Sequence, residues 1–278
     1  MSSAVVTLKA SHYPEVYSFL SQQEPWSIIA FDALLTHGLS RPGHHWFAEV
    51  EHGEIKGVIY HHDQLVQICY ASFSQHTVLG TFLSKYLSYF ITHGEKKQLS
   101  WLKKQLTRYE SKCLEQSLFV VQSKRTPHLI NQPLMGLKNI RFRPAVPADY
   151  ARLAALYAGS EVEQQVDGQL VWEAVRRGRV IVAEQKQLAG TVMCLKESPR
   201  YVLLGGLYVA PWARSQGIAS LLGQKMVQQV LKRGKKVCFY YRDSSLTPFY
   251  QRADFQPIGY WNSYSFTSKQ TMFFNGSS

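Results

Sequence analysis

Two hydrophobic periods divide the chain into elements. Tyr13, Val16, Tyr17, Phe19 and Leu20 recur at helical spacing over residues 11–22. Pro25 can open a second helix, Trp26 to Leu35, which Gly38 ends. The period then shortens to two. Trp46–Val50, Ile55–His61 and Leu65–Tyr70 predict three short strands, with His52-Gly53 and His62-Asp63 as the hairpin turns between them. Val78 to Ile91 and Leu99 to Tyr109 predict two helices, and Leu118 to Gln122 another strand.

Residues 123–138 carry two prolines and a glycine and no period, so the connection between two halves is placed at 126–138. After it, Asn139–Arg143 predicts a strand. Pro147-Ala148-Asp149 opens a helix with Tyr150, Leu153, Ala154 and Tyr157 on one face, and Leu170–Val175 is a second helix ended by Gly178. Arg179–Glu184 and Leu188–Leu195 form a hairpin through Gln185-Lys186-Gln187, and Tyr201–Val209 is a further strand. Leu221, Leu222, Met226, Val227, Val230 and Leu231 then return to helical spacing.

Between that last strand and helix lies Arg214-Ser215-Gln216-Gly217-Ile218-Ala219. A glycine loop that leaves a strand and opens a helix can cradle phosphate, because the amides of the first helical turn have no partners within the helix and the dipole favours negative charge there. Gly217 lets backbone approach the anion, and Arg214 adds positive charge. The loop lacks the Gly-Lys-Ser/Thr of a P-loop and the three glycines of a dinucleotide fingerprint.

It resembles instead the pyrophosphate loop of the GNAT superfamily, the acyl-CoA-dependent N-acyltransferases, whose pattern is Arg/Gln-x-x-Gly-x-Gly/Ala. Arg214, Gly217 and Ala219 fill that pattern. Leu207-Tyr208-Val209-Ala210-Pro211 looks like the end of the family's fourth strand. Asp243 to Phe255 is similar to its Asn-x-x-Ala-x-x-x-Tyr-x-x-x-Gly-Phe signature, with Tyr250 and Phe255 in place, Asp243 where the family has Asn, and Asp254 where it has Gly. The resemblance covers residues 139–266. It implies an α/β (α+β) GNAT fold, a mixed, mostly antiparallel sheet flanked by helices, with 139–278 as a catalytic acetyltransferase domain.

Residues 1–125 resemble, more weakly, the degenerate first half of bacterial tandem GNAT proteins, and another kind of α+β domain stays open. Their predicted order is GNAT-like, but Ala71-Ser72-Phe73-Ser74-Gln75-His76 follows the meander in place of a phosphate loop, so this half is not expected to bind CoA.

Composition narrows the function classes. With 45% hydrophobic and 18% charged residues, a chain of 278 has enough for two modest domains or one large one with a packed core, and disorder is not expected. No apolar run reaches the length of a membrane span, and the start lacks the charge and apolar pattern of a signal peptide. Cys69, Cys113, Cys194 and Cys238 form no C-x-x-C, and are read as reduced, mostly buried thiols of a cytoplasmic protein. The net charge of +12 is scattered, so solvated surface and attraction for an anionic co-substrate are preferred over a nucleic-acid surface, which is not excluded.

What the resemblance implies for chemistry is transfer of an acetyl group from acetyl-CoA to a primary amine by direct attack. Backbone amides of Leu207, Tyr208 and Val209 would bind the pantetheine arm and the developing oxyanion. The loop Arg214, Ser215, Gln216, Gly217, Ile218, Ala219 and Ser220, with Asp243 and Ser245, would hold the rest of the cofactor. A bulge at Gly205-Gly206 would open the cleft. Tyr250 is the candidate proton donor, since a tyrosine hydroxyl, with a pKa of about 10, can protonate a departing thiolate held close to it. Packing on cofactor or core is the other reading of this tyrosine.

The fourth strand lacks the glutamate that many family members use as base, which leaves Glu161, Glu163, Glu197 or a water. No metal is expected: His44-His45 and His61-His62-Asp63 alternate between strand faces, and no Cys or carboxylate cluster completes a set. The first half is expected to shape the acceptor site or a homodimer surface. A non-catalytic CoA-binding sensor or interaction protein, and an acetyltransferase acting on a protein or tRNA, are the alternative functions.

Overall fold

A computed structural model describes residues 3–72, 78–122, 139–158, 160, 168–252 and 254–269, with the side chains of 122, 249 and 252 left aside. Packing divides the chain into two compact units. The first comprises Met1–Phe119, Tyr240–Ser244 and Pro257–Ser278, and the second Val120–Phe239 and Ser245–Gln256.

In the first unit, β1 (Ala4–Thr7) leads through α1 (Tyr13–Gln22) and α2 (Ile28–His37) into β2 (His44–Glu51), β3 (Glu54–His62) and β4 (Leu65–Tyr70). Then follow α3 (Leu79–Tyr86), β5 (Tyr89–Glu95), α4 (Lys96–Gln105) and β6 (Tyr109–Gln122). Strands β1 to β4 pair antiparallel in sequence order. The β2–β3 turn is His52-Gly53 as anticipated, both at positive φ, which a tight hairpin turn of the matching twist requires. The β3–β4 turn is Asp63-Gln64, one residue later than expected, because His62 still pairs with Leu65.

The stretch Val78–Ile91, expected as one helix, is two elements. Helix α3 ends at Tyr86, Leu87 is extended, and Tyr89–Glu95 forms β5. The reason is visible in burial: Phe90, Thr92 and Gly94 face inward and their neighbours do not, a period of two that the helical spacing of Leu79, Phe82, Leu83, Leu87 and Phe90 concealed. Likewise α4 begins earlier and stops before Tyr109, where the long strand β6 starts.

In the second unit the order is β7 (Arg141–Pro144), α5 (Tyr150–Tyr157), α6 (Gly168–Arg176), β8 (Val180–Glu184), β9 (Leu188–Glu197), β10 (Tyr201–Val209), α7 (Ile218–Lys232), β11 (Lys236–Tyr241), α8 (Thr247–Arg252) and β12 (Phe255–Ser268). From β7 to α7 this is the order the sequence predicts. Sheet order is β7-β8-β9-β10-β11, antiparallel except for the parallel pair β10–β11. Helices α5 and α6 pack Leu153, Tyr157, Val171, Ala174 and Val175 on Val180, Val182 and Met193 of the sheet. Arg143, Asp149, Arg152 and Glu184 form a closed ion-pair group at the start of the unit.

The boundary differs from the expected domain 139–278. Most of β12 pairs with β5, from Trp261↔Glu95 to Thr267↔Tyr89, and so belongs to the first unit, whose sheet order is β1-β2-β3-β4-β5-β12-β6. Phe266 of this strand is buried against Phe90, with ring centroids 5.0 Å apart. Chain order alone gives no sign of such a return. The expected linker 126–138 lies outside the described residues.

Candidate active site

Strand β10 is bent where the sequence has Gly205-Gly206. Gly205 pairs with Met193 and Tyr208 with Thr191, so one extra residue sits in β10. Gly206 takes φ 58°, and a Cβ there would stand 2.7 Å from the Tyr157 hydroxyl and 3.0 Å from the Met193 methyl. Only glycine fits both the angle and the space. The Tyr157 hydroxyl donates to the Gly206 carbonyl at 2.6 Å, fixing the bulge from α5. Burial holds the Tyr157 hydroxyl far above its ordinary pKa, so it stays a donor.

Strand β10 loses its second neighbour just before the bulge. The β10–β11 ladder runs from Tyr201↔Lys236 to Leu203↔Cys238, and no further pairing between them exists among the described residues. The edge of Gly205–Val209 is therefore open toward β11, and Leu207 is exposed. Phe239, the next residue of β11, turns its ring onto Tyr250 at 4.7 Å and Phe255 at 4.8 Å. The aromatic run of the sequence thus seats the Tyr250 ring on the first β11 residue beyond the ladder.

The loop from β10 into α7 has the shape a phosphate cradle needs. After the short turn Pro211–Ala213, Ser215 takes φ 62° and Gly217 φ 80°, with Gly217 at the N-cap. No side chain caps the helix, and the first helical bond is Leu221 N–H to the Gly217 carbonyl at 3.1 Å. The amides of Ile218, Ala219 and Ser220 thus precede the intrahelical ladder and are available to an anion. The Ile218 side chain is buried with Leu222 and Met226 and anchors the helix, so only its amide serves the cradle. Arg214, Ser215, Gln216, Ala219 and Ser220 are exposed. Arg214 bends back, donating from Nε to the Val209 carbonyl at 3.2 Å with its guanidinium 5.6 Å from the Tyr208 ring centre.

Leu207, Tyr208, Val209, the loop and Tyr250 all belong to the second unit. Ser245 lies exposed in a short turn before α8, also in this unit, whereas exposed Asp243 falls in Tyr240–Ser244, which packs with the first. Asp254, where the family has glycine, takes φ 63°, the left-handed conformation that aspartate tolerates better than most residues.

The base candidates fare differently. Glu161 and Glu163 lie outside the described residues. Glu197 pairs through its residue with Val202, before the bulge. Its carboxylate accepts from Arg233 at 2.9 and 3.1 Å and from Lys235 at 2.5 Å, with Arg179 at 3.6 Å. Burial alone would raise its pKa, but the Lys235 bond and the three cations outweigh it and leave the net shift downward, the wrong direction for a base at neutral pH.

Tyr157 is the site residue that sequence reasoning missed. It showed only as one apolar position on a helix face, and its partner lies 49 residues away.

In the first unit the corresponding parallel pair, β4–β5, has its register contact at Leu65↔Ile91 among the described residues. Its gap is bridged by side chains: Gln67 Nε2 donates to the His93 carbonyl at 3.0 Å, and Gln98 Nε2 donates to the Ile68 carbonyl. The His44 ring centre lies 4.2 Å from those of both His37 and His62, stacked on the latter and tilted to the former. Among the described residues no group of three or more His, Cys, Asp or Glu is placed to hold a metal, and no helix is long and apolar enough to cross a membrane.

Residues 176–257 match the family model described as an acetyltransferase (GNAT) domain. Among solved structures, the chain is similar to an acetyltransferase from the GNAT family of Colwellia psychrerythraea, at 16% identity and TM-score 0.55, with 96% of this chain and 100% of that one covered. It is similar to a tandem GNAT protein from the clavulanic acid biosynthesis pathway, at 13% identity and TM-score 0.64 over 95% and 98% of the two chains. It is also similar to a GCN5-related N-acetyltransferase from Sphaerobacter thermophilus, at 15% and TM-score 0.58 over 95% of both. No curated protein matches the sequence significantly. The protein therefore carries a GNAT domain over residues 176–257, within an α/β architecture shared with GNAT folds, tandem ones included.

Proposed function

We propose that the second unit is an acetyl-CoA-dependent N-acetyltransferase acting on a primary amine. The observation that carries this reading is the conjunction of two features on one element pair: the uncapped N-terminus of α7 behind Ser215 and Gly217 at positive φ, and the opened edge of β10 after the Gly206 bulge. The amides of 217–220 suit a pyrophosphate, and the open β10 edge suits an amide-bearing arm running along it.

When bound, acetyl-CoA supplies an activated acetyl thioester. The residues of this chain do the rest. Leu207–Val209 present backbone groups to the arm and an amide to the oxyanion that develops on the carbonyl. The Tyr250 hydroxyl donates a proton at the leaving sulfur, from a ring held by Phe239. Glu197 is bound up in its ion pairs, which leaves Glu161, Glu163, a water or an amine already neutral for the proton removal. That same observation favours one rival, a CoA-binding protein without catalysis. In the first unit, the bridged β4–β5 gap supports a degenerate half that binds no CoA.

The test is calorimetry with acetyl-CoA followed by a screen of small amines for thiol release. One site per chain with amine-dependent release of free thiol supports the proposal. Binding without turnover on any amine, peptide or tRNA leaves the non-catalytic reading.

A further inference from the structure

The side chain of Arg214 lies on the strand edge that the proposed cofactor arm would use. In β10 the Ala210 N–H donates to the Ala189 carbonyl of β9 at 2.9 Å. In a trans peptide the carbonyl points opposite to the N–H. The Val209 carbonyl therefore faces away from β9, toward the side from which β11 has parted after Leu203↔Cys238. Arg214 donates from Nε to that carbonyl at 3.2 Å, and its guanidinium lies 5.6 Å from the Tyr208 ring centre. An arm that ran along the open edge to the loop would need the place this side chain takes.

Arg214 is held there lightly. It is exposed, and these partners are one neutral carbonyl and a ring face. A phosphate in the loop offers a guanidinium a full negative charge and two parallel bonds. The backbone at this point is anchored, with Ala213 buried and the Arg214 N–H donating to the Pro211 carbonyl at 3.3 Å. Movement of the guanidinium is therefore a matter of side-chain rotamers.

We infer that Arg214 is a latch that makes the cleft select thioesters carrying a diphosphate over thioesters on a bare pantetheine arm. The inference rests on the reading of this cleft as the acetyl-CoA site. A ligand with its pyrophosphate in the loop draws the guanidinium off the Val209 carbonyl and frees that edge for its own arm. An arm without phosphate has to displace the guanidinium and offers it no better partner. One side chain thus adds to the binding of the first ligand and subtracts from that of the second, which is discrimination by an unfavourable contact as well as a favourable one. A phosphate-binding arginine without this contact would affect the first ligand alone.

The experiment is calorimetry with two probes, acetyl-CoA and pantetheine, on the full chain and on Arg214→Ala. Loss of an exposed side chain leaves the Ala213 anchor in place, and a thermal melt checks that the variant is folded. In Arg214→Ala, acetyl-CoA should bind at least about tenfold more weakly, and pantetheine about threefold more tightly. The opposite signs are the signature, since damage to the cleft would weaken both. Pantetheine bound by the variant no more tightly than by the parent, or not at all, overturns the latch. So does acetyl-CoA binding that the substitution leaves undiminished. If the parent binds no acetyl-CoA, the cofactor reading itself fails and the latch falls with it; if it binds acetyl-CoA but the two signs do not oppose, the latch alone is wrong.

Discussion

The Tyr157 hydroxyl lies 2.6 Å from the carbonyl oxygen of Gly206, joining α5 to the bulge in β10 across 49 residues of sequence. It gives the buried bulge carbonyl a partner and fixes how far β10 leans from its neighbour. Tyr157→Phe should cost about 1–2 kcal/mol of stability, because a buried acceptor is left unsatisfied. It should also weaken acetyl-CoA binding more than a general loss of stability explains. Urea melts and calorimetry on the same preparations measure the two effects.

Gly206→Ala tests the bulge itself. The new methyl group would meet the Tyr157 hydroxyl at 2.7 Å in a backbone conformation that alanine avoids. The left-handed conformation alone costs about 1–2 kcal/mol, and overpacking adds a similar amount. A thermal melt should show a loss larger than that of Tyr157→Phe. Equal or higher stability would mean that the strand does not bulge here.

The loop motif was legible because its chemistry is local. Arg214 to Ala219 follows a strand and opens a helix within one window, and the structure keeps that context. The partner of Gly206 was not legible, because Tyr157 meets it only through tertiary packing. The strand β5 was hidden because Leu83, Leu87, Phe90 and Ile91 also fit a helical phase, and extended backbone at Leu87 ends the helix without a glycine or proline to announce it. The return of β12 to the first unit had no local signal, since its pairing with β5 joins residues more than 160 apart in sequence.

Arg143 forks onto Asp149 at 2.6 and 2.9 Å and reaches Glu184 at 2.8 Å. The Arg143 bond, against the opposing effect of burial, holds the Asp149 pKa down at about 2, with help from the Val146 amide and the charges of Arg143 and Arg152. Removing the arginine leaves a buried carboxylate without its main partner, so Arg143→Met should destabilise by about 3 kcal/mol. A depressed carboxylate contributes stability above its unfolded pKa and loses it as pH falls through the folded one. The contribution of Asp149 should therefore be complete at neutral pH and disappear between about pH 4 and pH 2. Asp149→Asn should flatten that part of a stability–pH curve.

His44 predicts a second acid-sensitive step. Burial first, then the neighbouring His37, His62 and Arg41, lower its pKa to about 4, against a smaller opposing effect of Asp63. Its Nδ1 also lies 2.8 Å from the Tyr60 hydroxyl. A histidine whose folded pKa is lowered takes up its proton more readily when unfolded. Stability should thus fall as pH drops from about 6.5 to about 4, by roughly 1 kcal/mol once solvent screening is allowed for. Urea midpoints at pH 7 and pH 5 should differ in the parent and differ less in His44→Gln, the remainder coming from His61 and His93, whose pKa values burial also lowers.

The account rests most directly on the α7 N-terminus as the place where acetyl-CoA binds. Calorimetric titration of acetyl-CoA into the parent and into Gly217→Glu measures this. The glutamate would put a carboxylate in the cradle and a side chain at φ 80°. One site per chain in the parent, absent from a folded Gly217→Glu, is the predicted result. Undiminished binding in the variant, or two sites in the parent, would contradict it.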